Sequence, residues 1–220
     1  RHAVGVANGT DAIELAVRAL DLAPGDEVIT VSHTAVATVA AIECAGAVPV
    51  LVDIEAEHFT IDPSLLEGAL TNRTRAVVAV HIYGQAADLT ALGAFCEKHN
   101  LYLIEDTAQA HGATYSGKRL GSIGHIGCFS FYPTKNLGAL GDAGMVTTNS
   151  DVFSGRLQKL RQYGWCDRYI SEFAGRNSRL DEIQAAVLRV KLPYLDADNL
   201  ARQRIADIYD RHLHPAIVRP

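Results

Sequence analysis

The chain lacks any stretch of 18 consecutive apolar residues and any run of a single charge sign. The first absence argues against a membrane-spanning helix. The second, with a net charge of −5, argues against a nucleic-acid partner bound by phosphate neutralisation. Cysteine is sparse and dispersed: Cys44, Cys96, Cys128 and Cys166 form no Cys-x-x-Cys pair. A disulfide framework and a zinc site are therefore not expected, and a reducing cytoplasm is the expected setting. No His/Glu/Cys grouping has metal-ligand spacing, and His2, His58 and His99 read as surface or core-edge residues. There is no G-x-S-x-G elbow, and the glycine-rich residues 121–127 do not follow G-x-G-x-x-G. A signal-peptide pattern is also missing. The chain opens at Arg1 without a methionine, enters a strand-like pattern at once, and closes on residues that read as a new strand. A fragment of a longer protein is the expectation.

What is present is an alternation. Apolar stretches at 4–7, 27–31, 48–53, 76–82, 101–105, 126–131 and 145–148 read as strands. The run 76–82 is continuously apolar, as in a strand buried on both faces. Between them come helical patterns: Ile13, Ala16, Val17 and Leu20; an alanine-rich segment at 34–45; Leu89, Leu92, Phe95 and Cys96. Thr10 reads as a cap for the first helix and Asp11 as its first-turn acid. Leu180, Ile183, Val187 and Val190 set an apolar stripe on a late helix, and the segment from about 200 reads as a helix leaving the domain. Alternating strands and helices predict an α/β domain with a mainly parallel sheet and helices on both faces.

Chemistry concentrates on Lys135. Phe129, Phe131 and Tyr132 precede it and the glycine-rich residues 138–144 follow, a context that places a lysine inside a pocket. A desolvated lysine has a lowered pKa and can act as a Schiff-base nucleophile. Upstream, Asp106 ends an apolar strand, where ligands of open α/β sheets bind, and Gln109 and His111 follow closely. A helix cap is the alternative for Asp106 alone; three clustered polar side chains favour a site. Enzymes that use pyridoxal 5'-phosphate need both a lysine for the aldehyde and an acid for the pyridinium nitrogen. Asn8-Gly9-Thr10-Asp11 lies between strand and helix, and reads either as a phosphate-binding helix start or as a plain turn. Ser130 is a possible second phosphate donor or an ordinary strand-end serine. Asn177 and Ser178 precede the late helix and read as caps.

These segments occur in order with further ones: Pro24-Gly-Asp-Glu-Val-Ile29, His81-Ile-Tyr-Gly-Gln85, Glu105-Asp-Thr-Ala-Gln-Ala-His-Gly112, Phe129-Ser-Phe-Tyr-Pro-Thr-Lys-Asn-Leu-Gly138 and Asn177-Ser-Arg-Leu-Asp-Glu-Ile-Gln184. Over nearly its whole length the chain resembles the DegT/StrS sugar aminotransferases, pyridoxal-phosphate enzymes of fold type I. The resemblance implies a three-layer large domain at 1–200, lacking its N-terminal segment, and the truncated start of a small domain at 201–220. It implies that Lys135 bonds the cofactor and shuttles a proton, that Asp106 keeps the ring nitrogen protonated, and that Gln109 contacts the phenolic oxygen. Gly9, Thr10, Asp11 and Ser130 would hold the phosphate, and Asn177 would reach the cofactor of a neighbouring subunit in a homodimer. The implied reaction moves an amino group from L-glutamate to a nucleotide-linked keto-sugar. Aminocyclitol or keto-inositol transamination is the alternative within the family, and a non-catalytic regulator binding the same cofactor is the alternative outside it. A dehydratase branch carries histidine in place of the lysine, and Lys135 argues against it. Two residue departures stand out. The aromatic that usually follows the threonine matched by Thr34 is Ala35, which leaves His33 as the candidate ring cover; and His125 stands where an Asp is usual.

Overall fold

The computed structural model describes residues 1–214 and 216–218. In chain order the elements are β1 (His2–Val6), α1 (Gly9–Ala19), β2 (Glu27–Val31), α2 (Val36–Cys44), β3 (Val48–Val52), the single turn α3 (Leu66–Ala69), β4 (Thr74–Val80), α4 (Leu89–His99) and β5 (Tyr102–Asp106). A small hairpin follows, β6 (Thr114–Tyr115) and β7 (Lys118–Arg119), then β8 (Ile126–Ser130), β9 (Gly144–Thr148) and α5 (Asp151–Leu160). A second hairpin, β10 (Trp165–Asp167) and β11 (Ile170–Ser171), leads to α6 (Glu182–Lys191) and α7 (Leu195–His212). α7 runs unbroken through residues 200 and 201, where the sequence places a domain boundary. No helix among the described residues is long and apolar enough to cross a membrane.

Seven strands form one sheet in the order β1-β9-β8-β5-β4-β2-β3. β8, β5, β4, β2 and β3 pair in parallel, while β9 runs antiparallel to both β8 and β1. The expected mainly parallel sheet is thus present, with one reversed strand. Strand residues alternate between two cores, because successive side chains point to opposite faces. Val28, Val78, Ile104 and Ile126 pack with Leu15 of α1, Ile42 of α2 and Leu157 of α5. Ile29, Val77 and Leu103 pack on the other face with Leu66 of α3 and Leu92 and Phe95 of α4. Helices on both faces make three layers. A third, smaller cluster joins Phe131, Leu137, Ala139 and Ala143 to Leu188 and Leu195, fixing the loop after β8 against α6 and the start of α7.

Three local expectations need correction. The cap of α1 is Asn8, whose side chain accepts the Asp11 amide at 2.8 Å; Thr10 lies inside the helix. On α6 it is Leu188 that is buried, whereas Ile183 and Val190 are 75% and 70% exposed. The cap of α6 is Asp181, so Asn177 and Ser178 lie upstream of the helix and do not cap it. Ser178 is instead buried, and its Oγ accepts the Ala7 amide at 3.1 Å.

Candidate active site

Sheet direction brings the candidate residues to one edge. β5 ends on Asp106, β8 ends on Ser130, and β1 ends just before Asn8. β9 begins at the same edge, its Gly144 paired with both Ser130 and Val6. This is the carboxyl edge of the parallel strands, where open α/β sheets place their ligands.

Asp106 is buried and has no ion-pair partner among the described residues. Its Oδ1 accepts the Ala108 amide at 3.1 Å and its Oδ2 accepts the Thr38 hydroxyl at 2.8 Å. Burial pushes its carboxyl up; the Ala108 and Thr38 hydrogen bonds and the nearby His81 and Lys135 pull it only part of the way back. An ionised carboxylate here wants a cation beside it. The neighbouring Glu105 shows the opposite balance. Burial raises its carboxyl, but His81 Nε2 at 3.2 Å and the amides of Gly121 and Gly124, each at 2.7 Å, outweigh that and leave it lowered. His81 Nδ1 accepts the Ala87 amide at 3.1 Å, so Nε2 is the nitrogen that carries hydrogen toward Glu105. This pair ties β4, β5 and the 121–124 loop together directly behind Asp106.

Lys135 lies beyond β8 on the loop anchored by Phe131 and Leu137. It is half-buried, so the fully buried lysine expected from its flanking aromatics is not what the loop provides. Its side chain has no hydrogen-bond or ion-pair partner among the described residues, and it lines a cavity of about 770 Å³ with Tyr83, Gln109, His111 and Asn136. Asp106 is not among the residues that line this cavity. His111 is buried; its Nε2 donates to the Ser130 carbonyl at 2.8 Å and its Nδ1 has no partner. Burial lowers His111 to about 4, with the charge of Lys135 adding to the effect.

The start of α1 forms the other half of the edge. Asn8 occupies the Asp11 amide, and the amides of Gly9 and Thr10 have no hydrogen-bond partner among the described residues. A Cβ on Gly9 would stand 2.5 Å from Ser130 Cβ and 2.9 Å from its Oγ, so glycine is what lets the turn close on Ser130. Gly9, Thr10 and Ser130 therefore converge as donors. Asp11 does not join them. Its carboxylate pairs with Arg176 at 3.4 Å, and its amide is taken. The expected phosphate contact from Asp11 has no free donor to make it.

His33 is held by Tyr83, whose hydroxyl lies 3.1 Å from Nε2, and is flanked by the Phe59 ring with centroids 6.2 Å apart. Tyr83 adopts φ 58°, a left-handed conformation that bulky residues rarely take. Ala35, at the N-cap of α2, is exposed and makes no cap bond. His125 Nδ1 accepts the Leu103 amide at 3.0 Å, a local brace between β5 and the start of β8. Asn177 is exposed. Its flanks are pinned to their own chain, Arg176 to Asp11 and Glu14 and Ser178 to Ala7, so the structure does not bring Asn177 into the Asp106–Lys135 group. Sequence reasoning missed Thr38, His81 and Glu105. The available signals were Thr34 and Thr38 one helical turn apart and two adjacent acids closing an apolar strand.

The comparisons with known proteins agree with this geometry. The dTDP-3-amino-3,4,6-trideoxy-alpha-D-glucose transaminase of Streptomyces venezuelae is 50% identical over 208 residues, covering 94% of this chain and 55% of that protein. A pleiotropic regulatory protein of Geobacillus stearothermophilus is 47% identical over 217 residues, covering 99% of this chain and 58% of its own length. The crystal structure of S. venezuelae DesV in complex with a ketimine intermediate superposes with a TM-score of 0.95 at 47% identity, covering 100% of this chain and 61% of that one. The chain thus spans little more than half the length of these relatives. With the family model of the DegT/DnrJ/EryC1/StrS aminotransferases matching residues 1–218, the chain belongs to that family.

Proposed function

We propose that this chain is the cofactor-binding part of an aminotransferase that moves an amino group from L-glutamate to a keto group on a nucleotide-linked sugar. The observation that carries the reading is Asp106, a buried carboxylate without an ion-pair partner, at the same sheet edge as the unpartnered amine of Lys135. The residues present fit pyridoxal 5'-phosphate, the cofactor of this family's aminotransferases. A pyridinium nitrogen matches the charge that Asp106 lacks, and the cradle of Gly9, Thr10 and Ser130 offers backbone and hydroxyl donors to a phosphate at a helix N-terminus. When bound, the cofactor supplies an electron sink for the carbon that exchanges its amino group.

The chain's own residues supply the rest. Lys135 Nζ, an amine without a partner in the cavity, would hold the cofactor through its aldehyde and would serve as the base that holds and moves a proton. Asp106 favours a proton on the ring nitrogen. Gln109, on the cavity wall with Lys135, has an amide able to donate to the phenolic oxygen. His33, fixed by Tyr83, would be the residue to cover the ring, since Ala35 offers no aromatic. Asn177, with an exposed side chain on a pinned segment, serves the phosphate of a second copy in a homodimer. The relative named for a 3-amino sugar favours a 3-keto substrate.

Borohydride reduction of the cofactor-loaded full-length parent, followed by peptide mapping, should place the pyridoxyl label on Lys135; a label on another lysine overturns the assignment. A second reading, a regulator that binds the cofactor without turnover, is favoured by the relative named as a pleiotropic regulatory protein. Glutamate separates the two: an aminotransferase converts it to 2-oxoglutarate with loss of the visible cofactor band, and a pure binder leaves both unchanged. A panel of keto-sugar nucleotides and keto-inositols then identifies the acceptor.

A further inference from the structure

Asp106 receives one side-chain hydrogen bond, from Thr38 Oγ1 to Oδ2 at 2.8 Å, and Thr34 Oγ1 lies 2.8 Å from Thr38 Oγ1. A hydroxyl has one hydrogen. Because the Thr38 hydrogen goes to Asp106, the hydrogen between the two threonines must come from Thr34. The bonds therefore run one way, Thr34 to Thr38 to Asp106, and each polarises the next. Thr38 is in the first turn of α2, near the positive end of that helix. The arrangement is also reversible. If Asp106 is protonated, Thr38 can accept from it and turn its own hydrogen to Thr34, so the carboxyl keeps its orientation in both states.

We propose that Thr38, backed by Thr34, is a positioning residue that orients Asp106 and decides on which side of the Asp106–cofactor contact the shared proton rests. The proposal rests on the cofactor reading above. The titratable groups around Asp106 are His81 beyond β4, Glu105 on its own strand, Cys128 on β8 and Lys135 beyond β8. None of their side chains donates a hydrogen bond to the Asp106 carboxylate, and among the described residues the only other donor to it is the backbone amide of Ala108. Removing the Thr38 hydroxyl leaves a more basic carboxylate, which draws the proton off the ring nitrogen. A less positive ring withdraws fewer electrons from the Lys135 nitrogen bonded to it, and that nitrogen holds its proton to higher pH.

The test uses the full-length parent loaded with pyridoxal 5'-phosphate, as wild type and as Thr38→Val, Thr38→Ser and Thr34→Val. Wild type is examined first: a visible band abolished by borohydride, with the reduced label mapped to Lys135, establishes the Lys135 bond, and its absence defeats the cofactor reading and this proposal with it. With that band present, its pH midpoint in Thr38→Val should rise by about half a unit to one unit. kcat should fall about tenfold or more while KM for glutamate stays within about threefold. Thr38→Ser should restore both values, and Thr34→Val should shift the midpoint the same way by less. A folded, loaded Thr38→Val with the wild-type midpoint overturns the proposal, as does a serine variant that behaves like the valine one. If Thr38→Val does not load, Thr34→Val decides, because it leaves the Thr38–Asp106 contact in place; an unshifted midpoint there is equally fatal.

Discussion

At the scale of single residues, the site is built from groups whose charge the fold has made expensive. Asp106 has its pKa raised by burial, so the folded state holds its proton more tightly than the unfolded chain. Stability of the cofactor-free protein should therefore fall as pH rises above 3.8, the unperturbed value, toward the raised folded one. Asp106→Asn removes that slope: its cofactor-free Tm at pH 7 should exceed that of wild type while turnover drops by orders of magnitude. Parallel Tm-against-pH curves for the two proteins check this. His111 has the opposite sign. Lowered to about 4 from 6.5, it is protonated in the unfolded chain before the folded one. Its contribution, up to about 3 kcal/mol, is complete above pH 6.5 and lost as pH falls toward 4. His111→Gln, which keeps a donor for the Ser130 carbonyl, should flatten the acid limb of the stability curve over that window. His125, held by the Leu103 amide, is also lowered by partial desolvation and leaves a residual slope in both proteins. At His33 the expectation is smaller: His33→Ala should weaken cofactor affinity by a few fold, on the order of 1 kcal/mol, in a spectroscopic titration.

At the scale of elements, the helix start at Gly9 is the tightest junction of the site. Gly9→Ala would drive a Cβ to 2.5 Å from Ser130 Cβ and force β8 and α1 apart. Overpacking of this kind costs about 1–3 kcal/mol. Cofactor affinity should drop about tenfold or more as the donors separate, whereas Ser130→Ala should cost less on both counts; calorimetry with cofactor titration distinguishes them. This junction also marks where the sequence was legible and where it was not. The strands were readable because a buried parallel strand leaves a continuous apolar run, as in β4. Asp106 and Lys135 were readable as a pair from local context. The α1 cap is ambiguous in the sequence because Asn8 and Thr10 are both competent; in the fold Asn8 accepts the Asp11 amide, and the junction behind it is closed by Ser130 against Gly9. The β6–β7 hairpin has strands of two residues, too short to leave an alternating pattern, and only its turn, Ser116 and Gly117 with φ of 48° and 78°, carries a local signature. Thr38 was invisible in a segment dominated by alanine, since its role exists only once α2 lies against the end of β5. The outward stripe of α6 shows the limit of periodicity: it reports which residues share a face, and what covers that face is a separate matter.

At the scale of the whole molecule, the exposed Asn177 between two pinned neighbours sets the question of assembly. In the full-length parent, Lys135→Ala and Asn177→Ala, each weak alone, should together recover up to roughly one working site per mixed dimer if sites are shared. No recovery after verified subunit exchange would return Asn177 to its own chain's site or remove it from catalysis. The sheet itself has one more consequence. Ser130 and Gly144 are partners in the β8–β9 ladder, and Lys135 lies on the excursion between them. The reactive amine thus rides on a loop whose two feet stand side by side at the phosphate cradle, Ser130 against Gly9 and Gly144 against Asn8. Insertions near the loop's apex would change how far the amine reaches without moving the cradle. A one-residue slip between β8 and β9 would move both, so the distance from amine to anion is a property of strand register, set before any ligand arrives.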